Sequence, residues 1–185
     1  MRLIYRYMKK IAIILLITFL AIGACAAPKK VVKKMNPQNI SIISPSFKNM
    51  EYLPAKFSGN GKGINPSLIF ENIPLNAKCL VLIMDDPDAP YATFVHWLMF
   101  NIPPKTKEIK ENSIPQGAVM GMTSSGILKY VPPSPPPGKP HRYVFKLYAL
   151  DRMLSLKEGA SKDSIEIAMQ GHIIAHTSLT GLYKR

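Results

Sequence analysis

The stretch "CLVLIMDDPDAPYATFVHWLMFNIP", Cys79 to Pro103, sets two apolar segments on either side of an acidic turn punctuated by prolines. Its first segment is continuously apolar from Cys79 to Met84, the pattern of a central strand covered on both faces. The second alternates. It places Phe94, His96, Leu98, Phe100 and Ile102 on one face and Thr93, Val95, Trp97, Met99 and Asn101 on the other, and both faces are largely apolar. We therefore expect strands over Lys78 to Met84 and Thr93 to Ile102, with a third over Arg142 to Leu150. Short apolar runs among 17 prolines and 11 glycines argue for strands joined by turns rather than a helical bundle.

The turn carries the chemistry. If Asp86-Pro87-Asp88 is extended, Asp86 and Asp88 point the same way and Asp85 the other. Further on, "PPSPPPGKPHRYVF", Pro132 to Phe145, puts His141 and Tyr143 on one side of a strand, opposite Arg142. Both same-face pairs adjoin proline-rich segments, which fix backbone φ and remove donors, good properties for a pocket rim. Each residue alone has a plain structural reading. Asp before Pro is a common turn former, and a histidine between Phe94 and Leu98 is by default a satisfied core residue.

Near the end, "ASKDSIEIAMQGHIIAHTSL" places Ile165, Ala168, Met169, His172 and Ile173 at helical spacing. This predicts a helix from about Lys162, with Ser161 as N-cap and Asp163 and Glu166 early against the helix dipole, and with Gly171 interrupting its continuity. On such a helix His172 and His176 are an i, i+4 pair, but no carboxylate follows in a zinc-protease pattern, so packing is the expected role.

The chain has 185 residues, with 24 Lys and Arg against 11 Asp and Glu. Eight of the basic residues precede residue 37, so the remainder is only mildly basic. The basic residues lack the dense patch and interleaved aromatics of a nucleic-acid binder, and no nucleic-acid partner is expected. "MRLIYRYMKK" followed by the 14-residue run "IAIILLITFLAIGA" has the form of a signal peptide, residues 1–24. At 1.5 Å per residue such a run falls short of the roughly 30 Å hydrocarbon layer. "AIGAC" resembles a lipoprotein processing site, so Cys25 is the expected lipidation point, followed by a lysine-rich tether over 25–36 and one domain over 37–185. Cleavage at Ala24-Cys25-Ala26 as an A-x-A site is the alternative, giving a soluble exported protein. Either route takes the domain out of the cytoplasm, to the bacterial cell envelope as a membrane-anchored lipoprotein or, in the alternative, as a soluble periplasmic or secreted protein. With Cys25 lipidated, Cys79 is the remaining thiol, an expected inert hydrophobe in a buried strand.

Taken together, "LVLIMDDPDAP…FVHWLMFNIP", "PPSPPPGKPHRYVFKLYALD" and "GASKDSIEIAMQGHIIAHTSLTGLYKR" resemble the phosphatidylethanolamine-binding protein family, in its bacterial Raf kinase inhibitor-like branch, from about Ile40 to Arg185. The resemblance implies a mainly β fold: a sandwich of a large antiparallel sheet and a smaller sheet, with peripheral helices and a small anion pocket at one end. It also implies that the pocket is formed by Asp86, Asp88, His96, His141 and Tyr143, with Pro135 on its wall. One departure stands out. The loop "LKYVPPSPPPG" has Lys129 and Val131-Pro132 where that branch commonly carries glycines, and Ser134 where it carries cysteine, so a stiffer, bulkier wall is expected. The expected function is non-catalytic binding of a small phosphate-containing anion or a zwitterionic headgroup such as phosphoethanolamine, with no cofactor. Inhibition of an envelope protease or another protein partner is the alternative, and a metal- or acid/base-dependent hydrolase is a third reading.

Overall fold

Residues 39–185 are described by the computed structural model; the expected leader, Cys25 and the tether over 25–36 lie outside them. Strands run over Ser41–Ile43 (β1), Glu51–Tyr52 (β2), Leu68–Glu71 (β3), Cys79–Asp86 (β4) and Phe94–Ile102 (β5). They continue with Glu108–Ile109 (β6), Val119–Met120 (β7), His141–Leu150 (β8) and Ile173–Tyr183 (β9), and one α-helix, Lys162–Met169 (α1), precedes β9.

The strands form two sheets, one of three strands in the order β1-β3-β6 and one of six in the order β2-β9-β8-β4-β5-β7. All pairings are antiparallel except β2 with β9, which run parallel at the edge of the large sheet. This is the expected mainly β sandwich of a large and a small sheet, with a single α-helix among the described residues.

All eight residues of β4 are buried. Period-2 alternation sends Leu80, Leu82 and Met84 into the core shared with the small sheet, beside Ile42, Leu68, Phe70 and Ile109. Cys79, Val81 and Ile83 go into a second core with Leu154, Ile165 and Met169. Fully burying one Leu or Ile side chain contributes about 1.5–3 kcal/mol, so a strand buried on both faces is a large apolar contribution from a short segment.

β5 departs from simple alternation. Its register with β4 slips twice, with Asp85 opposite Val95 but Met84 opposite Trp97, and Leu82 opposite Met99 but Leu80 opposite Ile102. Each slip is a β-bulge that adds one residue to β5. His96 is the extra residue at the first. Trp97 and Met99 consequently share the small-sheet core with Ile102, while Val95, Leu98 and Phe100 share the helix-side core. The uniform two-face division expected over Thr93 to Ile102 is thus broken at both ends.

The helix begins at Lys162 as expected, and the Ser161 hydroxyl accepts the Ser164 N–H at 3.2 Å. It ends at Met169, earlier than the helical spacing through His172 and Ile173 implies. Gly171 adopts φ 75°, a left-handed conformation open to glycine, and the chain reverses into β9. β9 then pairs with β8 from His141–Tyr183 to Leu150–Ile173, a long-range ladder that outweighs the local helical pattern.

The end of β4 carries one buried charge on the helix side. Asp85 is 1% exposed, and its Oδ2 accepts Lys146 Nζ at 2.7 Å and Lys162 Nζ at 2.9 Å, while Oδ1 has no partner. Burial opposes the Lys162 charge, but the bond to Asp85 together with the charges of Asp85 and Glu166 outweighs it and holds the ammonium above its ordinary pKa. This contact ties β4, β8 and α1. Asp85→Ala leaves two half-buried ammonium groups facing each other and should cost about 2 kcal/mol, discounted from a fully buried pair because both lysines are partly exposed. Urea denaturation measures this, and an unchanged midpoint would contradict the role given to the cluster.

Candidate functional site

One step beyond Asp85, Asp86 leaves the strand on the opposite face. Pro87 supplies no N–H to continue the ladder, and the chain turns: Asp86 Oδ1 accepts the Asp88 N–H at 2.9 Å, an Asx-type turn. The other carboxylate oxygen, Oδ2, lies 2.8 Å from His141 Nδ1, at the first residue of β8. Both side chains are almost completely buried, at 5% and 11% exposure. The carboxylate can only accept, so His141 Nδ1–H donates to it, and a ring that also carried a proton on Nε2 would have a second N–H to offer to an anion.

The turn separates the two carboxylates that an extended Asp86-Pro87-Asp88 would have aligned. Asp88 meets Arg142, which alternates with His141 and Tyr143 on β8 and so projects from the other face. It accepts the Arg142 backbone N–H at 2.8 Å, Nε–H at 2.9 Å and Nη2–H at 2.7 Å. Asp88 therefore does not line the cavity that Asp86 lines, contrary to the sequence expectation.

His96, the bulged residue, stays on Phe94's side of β5 and lines that cavity with it. Its Nδ1 lies 2.8 Å from the Val131 carbonyl, and the Val131 N–H donates to the His96 carbonyl at 2.8 Å. A carbonyl can only accept, so Nδ1 carries the proton and Nε2 of the neutral ring is an acceptor. Burial holds the His96 pKa below its ordinary value. His96 is thus held as a neutral imidazole.

Tyr143 follows His141 by two residues, and its ring stands edge-on to His96 with centroids 5.1 Å apart. Its hydroxyl is buried with no hydrogen-bond partner in the protein, and burial together with the Asp86 charge pushes its pKa up. It is a donor without an acceptor.

These groups border a cavity of about 200 Å³. Phe94, Val131, Pro132 and Pro135 form much of its apolar wall, and Ser134 lies on its rim. Of the sequence-predicted site residues, Asp86, His96, Pro135, His141 and Tyr143 are brought together, and Asp88 is not. Sequence reasoning missed Phe94 and Val131. Phe94 shares the face of His96 by strand alternation, a signal that was available; the bulge, which left no local signal, adds Trp97 to that side, and the proline run beside Val131 was visible as a stiff wall.

The other histidines lie elsewhere. His172 pairs with Asp151 at 2.9 Å, and His176 stacks on Tyr148 with centroids 6.1 Å apart. The helical pair is not formed, because His176 lies within β9, where four residues span about 13 Å rather than one helical turn. Among the described residues, no group of three or more His, Cys, Asp or Glu side chains could hold a metal ion.

A two-sheet β sandwich with a small imidazole-, carboxylate- and phenol-lined cavity at one end is the class this geometry defines. The family model for phosphatidylethanolamine-binding proteins matches residues 43–184, and the chain belongs to that family. An archaeal relative from Methanothermobacter thermautotrophicus, described as a UPF0098 protein, is 43% identical over 151 residues, covering 79% of this chain and 99% of the relative. The phosphatidylethanolamine-binding protein homologue CT736 from Chlamydia trachomatis matches with TM-score 0.77 and 38% identity, covering 80% of this chain and 99% of that one. E. coli YbcL, described as a member of the mammalian PEBP family, matches with TM-score 0.74 and 26% identity over the same shares.

The Arg142 contacts hold the Asp88 carboxyl down to about 2. A depressed carboxyl pKa stabilises the fold above the ordinary value of about 3.9 and loses that contribution as pH falls toward the folded value. Carboxyl NMR titration should find Asp88 ionised down to about 2 and Arg142→Ala should return it to the ordinary range; a normal titration in the unaltered protein would remove the ion pair from the account.

Proposed function

We propose that this protein binds, without catalysis, a small phosphate-containing anion or zwitterionic headgroup in the cavity between Asp86, His96, His141 and Tyr143. The observation that carries the reading is the buried Tyr143 hydroxyl, unpartnered beside an Asp86–His141 pair. A carboxylate beside a phosphate is unfavourable by itself, since like charges at 4 Å repel by about 4 kcal/mol at an effective dielectric of 20. Here Asp86 already accepts from His141 at 2.8 Å, so the imidazole stands between the carboxylate and the anion, which would be met by the N–H of the protonated ring. Tyr143 adds a neutral donor, and the apolar wall strengthens both interactions by excluding water.

Several features support binding over turnover. The thiol of Cys79 is fully buried in the helix-side core, bonded to the Arg152 carbonyl at 3.0 Å, and burial pushes its pKa up. Nucleophilic catalysis needs an activated side chain paired with a base, and no hydrogen bond joins Ser134 to His96 or His141.

Calorimetric titration of the purified protein with inorganic phosphate and with phosphoethanolamine tests the reading. Binding is expected, with His141→Ala weakening it by about tenfold or more and Tyr143→Phe by about two- to tenfold, the ranges for losing a charged and a neutral hydrogen bond. Absence of binding by either compound from pH 5 to 8 would sink it.

The leader and "AIGAC" support placing this domain at the envelope, held by lipid on Cys25. Blocking lipoprotein signal peptidase should accumulate full-length precursor. Unchanged processing, or normal membrane retention of Cys25→Ala, would count against the anchor.

A further inference from the structure

The inner cavity is small. Its volume of about 200 Å³ is the liquid share of about seven waters, room for a phosphate group with a short substituent. A second cavity of about 430 Å³ is lined by Asp88, Lys139, Pro140, His141 and Arg142. His141 lines both, so it is the residue at which the two cavities meet.

The charges there are uneven. Asp88 is fully engaged by three hydrogen bonds from Arg142. Asp86 is engaged as well, with one oxygen accepting from His141 and the other from the Asp88 N–H. Lys139 is exposed and makes no ion pair among the described residues. An incoming ammonium therefore finds no free carboxylate and meets an uncompensated lysine, whereas a second anionic group finds a cation.

We propose that the outer cavity is a subsite for a second anionic group, so that the preferred ligand is a small phosphate compound with two negative centres, such as a diphosphate, rather than a zwitterion. This rests on the phosphate reading of the inner cavity and selects within it. Lys139 is the specificity-determining residue and His141 the junction. The attraction is solvent-exposed, so it is modest and weakened by salt.

Calorimetry with inorganic phosphate, pyrophosphate and phosphoethanolamine, on the unaltered protein, Lys139→Ala and His141→Ala, tests the proposal. Pyrophosphate should bind about fivefold more tightly than phosphoethanolamine, the scale of one exposed ion pair. Lys139→Ala, a change at an exposed side chain, should remove most of that preference while leaving phosphate affinity unchanged. His141→Ala should weaken all three. If phosphoethanolamine matches or exceeds pyrophosphate, or if Lys139→Ala leaves the preference intact, the subsite is overturned while the phosphate reading stands. If none of the three binds, the phosphate reading itself fails and takes the subsite with it.

Discussion

Two adjacent carboxylates terminate a strand that is buried on both faces, and the remainder of the molecule is organised around them. β4 has no solvent-facing side, so Asp85 and Asp86 each emerge into a different core. Buried charge is costly unless paired, so each face must supply a cation or donor at that level of the sheet. On the helix side the partners are Lys146 and Lys162, which draw α1 onto the sheet. On the other side the partner is His141, and the space left around that pair is the cavity. The site and the helix attachment are thus two answers to one electrostatic requirement.

The cavity exists because regular β structure stops there. β4 ends at a proline that removes a ladder donor, β5 carries a bulge at His96, and β8 starts only after a proline-rich run. Each interruption re-aims one polar side chain toward a shared space that a continuous sheet would have filled with apolar atoms. Reciprocal bonds between His96 and Val131 then lock the loop to the strand. The result is a rigid pocket with one imidazole paired to a carboxylate, one neutral imidazole and one free phenol.

The position of Asp88 changes the chemical character of the mouth. Aligned with Asp86 it would have given the pocket a spare carboxylate suited to an ammonium. Turned outward onto Arg142, it neutralises that guanidinium and leaves Lys139 as the uncompensated charge beside His141. A single Asx-type turn therefore decides which charged group stands unpaired at that end of the site among the described residues.

Much of this was legible in the residues. The unbroken run from Cys79 to Met84 requires a doubly covered strand, and the two-residue spacing of His141 and Tyr143 requires a shared face, because both follow from the strand period alone. The prolines from Pro132 to Pro137 declare a stiff wall by their chemistry. What only tertiary structure decided was every feature that depends on a partner strand or a distant charge. The bulge at His96 is a property of the β4–β5 register, and β9 wins over the helical spacing past Met169 because β8 pairs with it along its length. Asp88 turns outward to meet Arg142, a residue 54 positions away. Local periodicity specifies which side a side chain leaves its own strand; the sum of long-range pairing energies specifies where that side is.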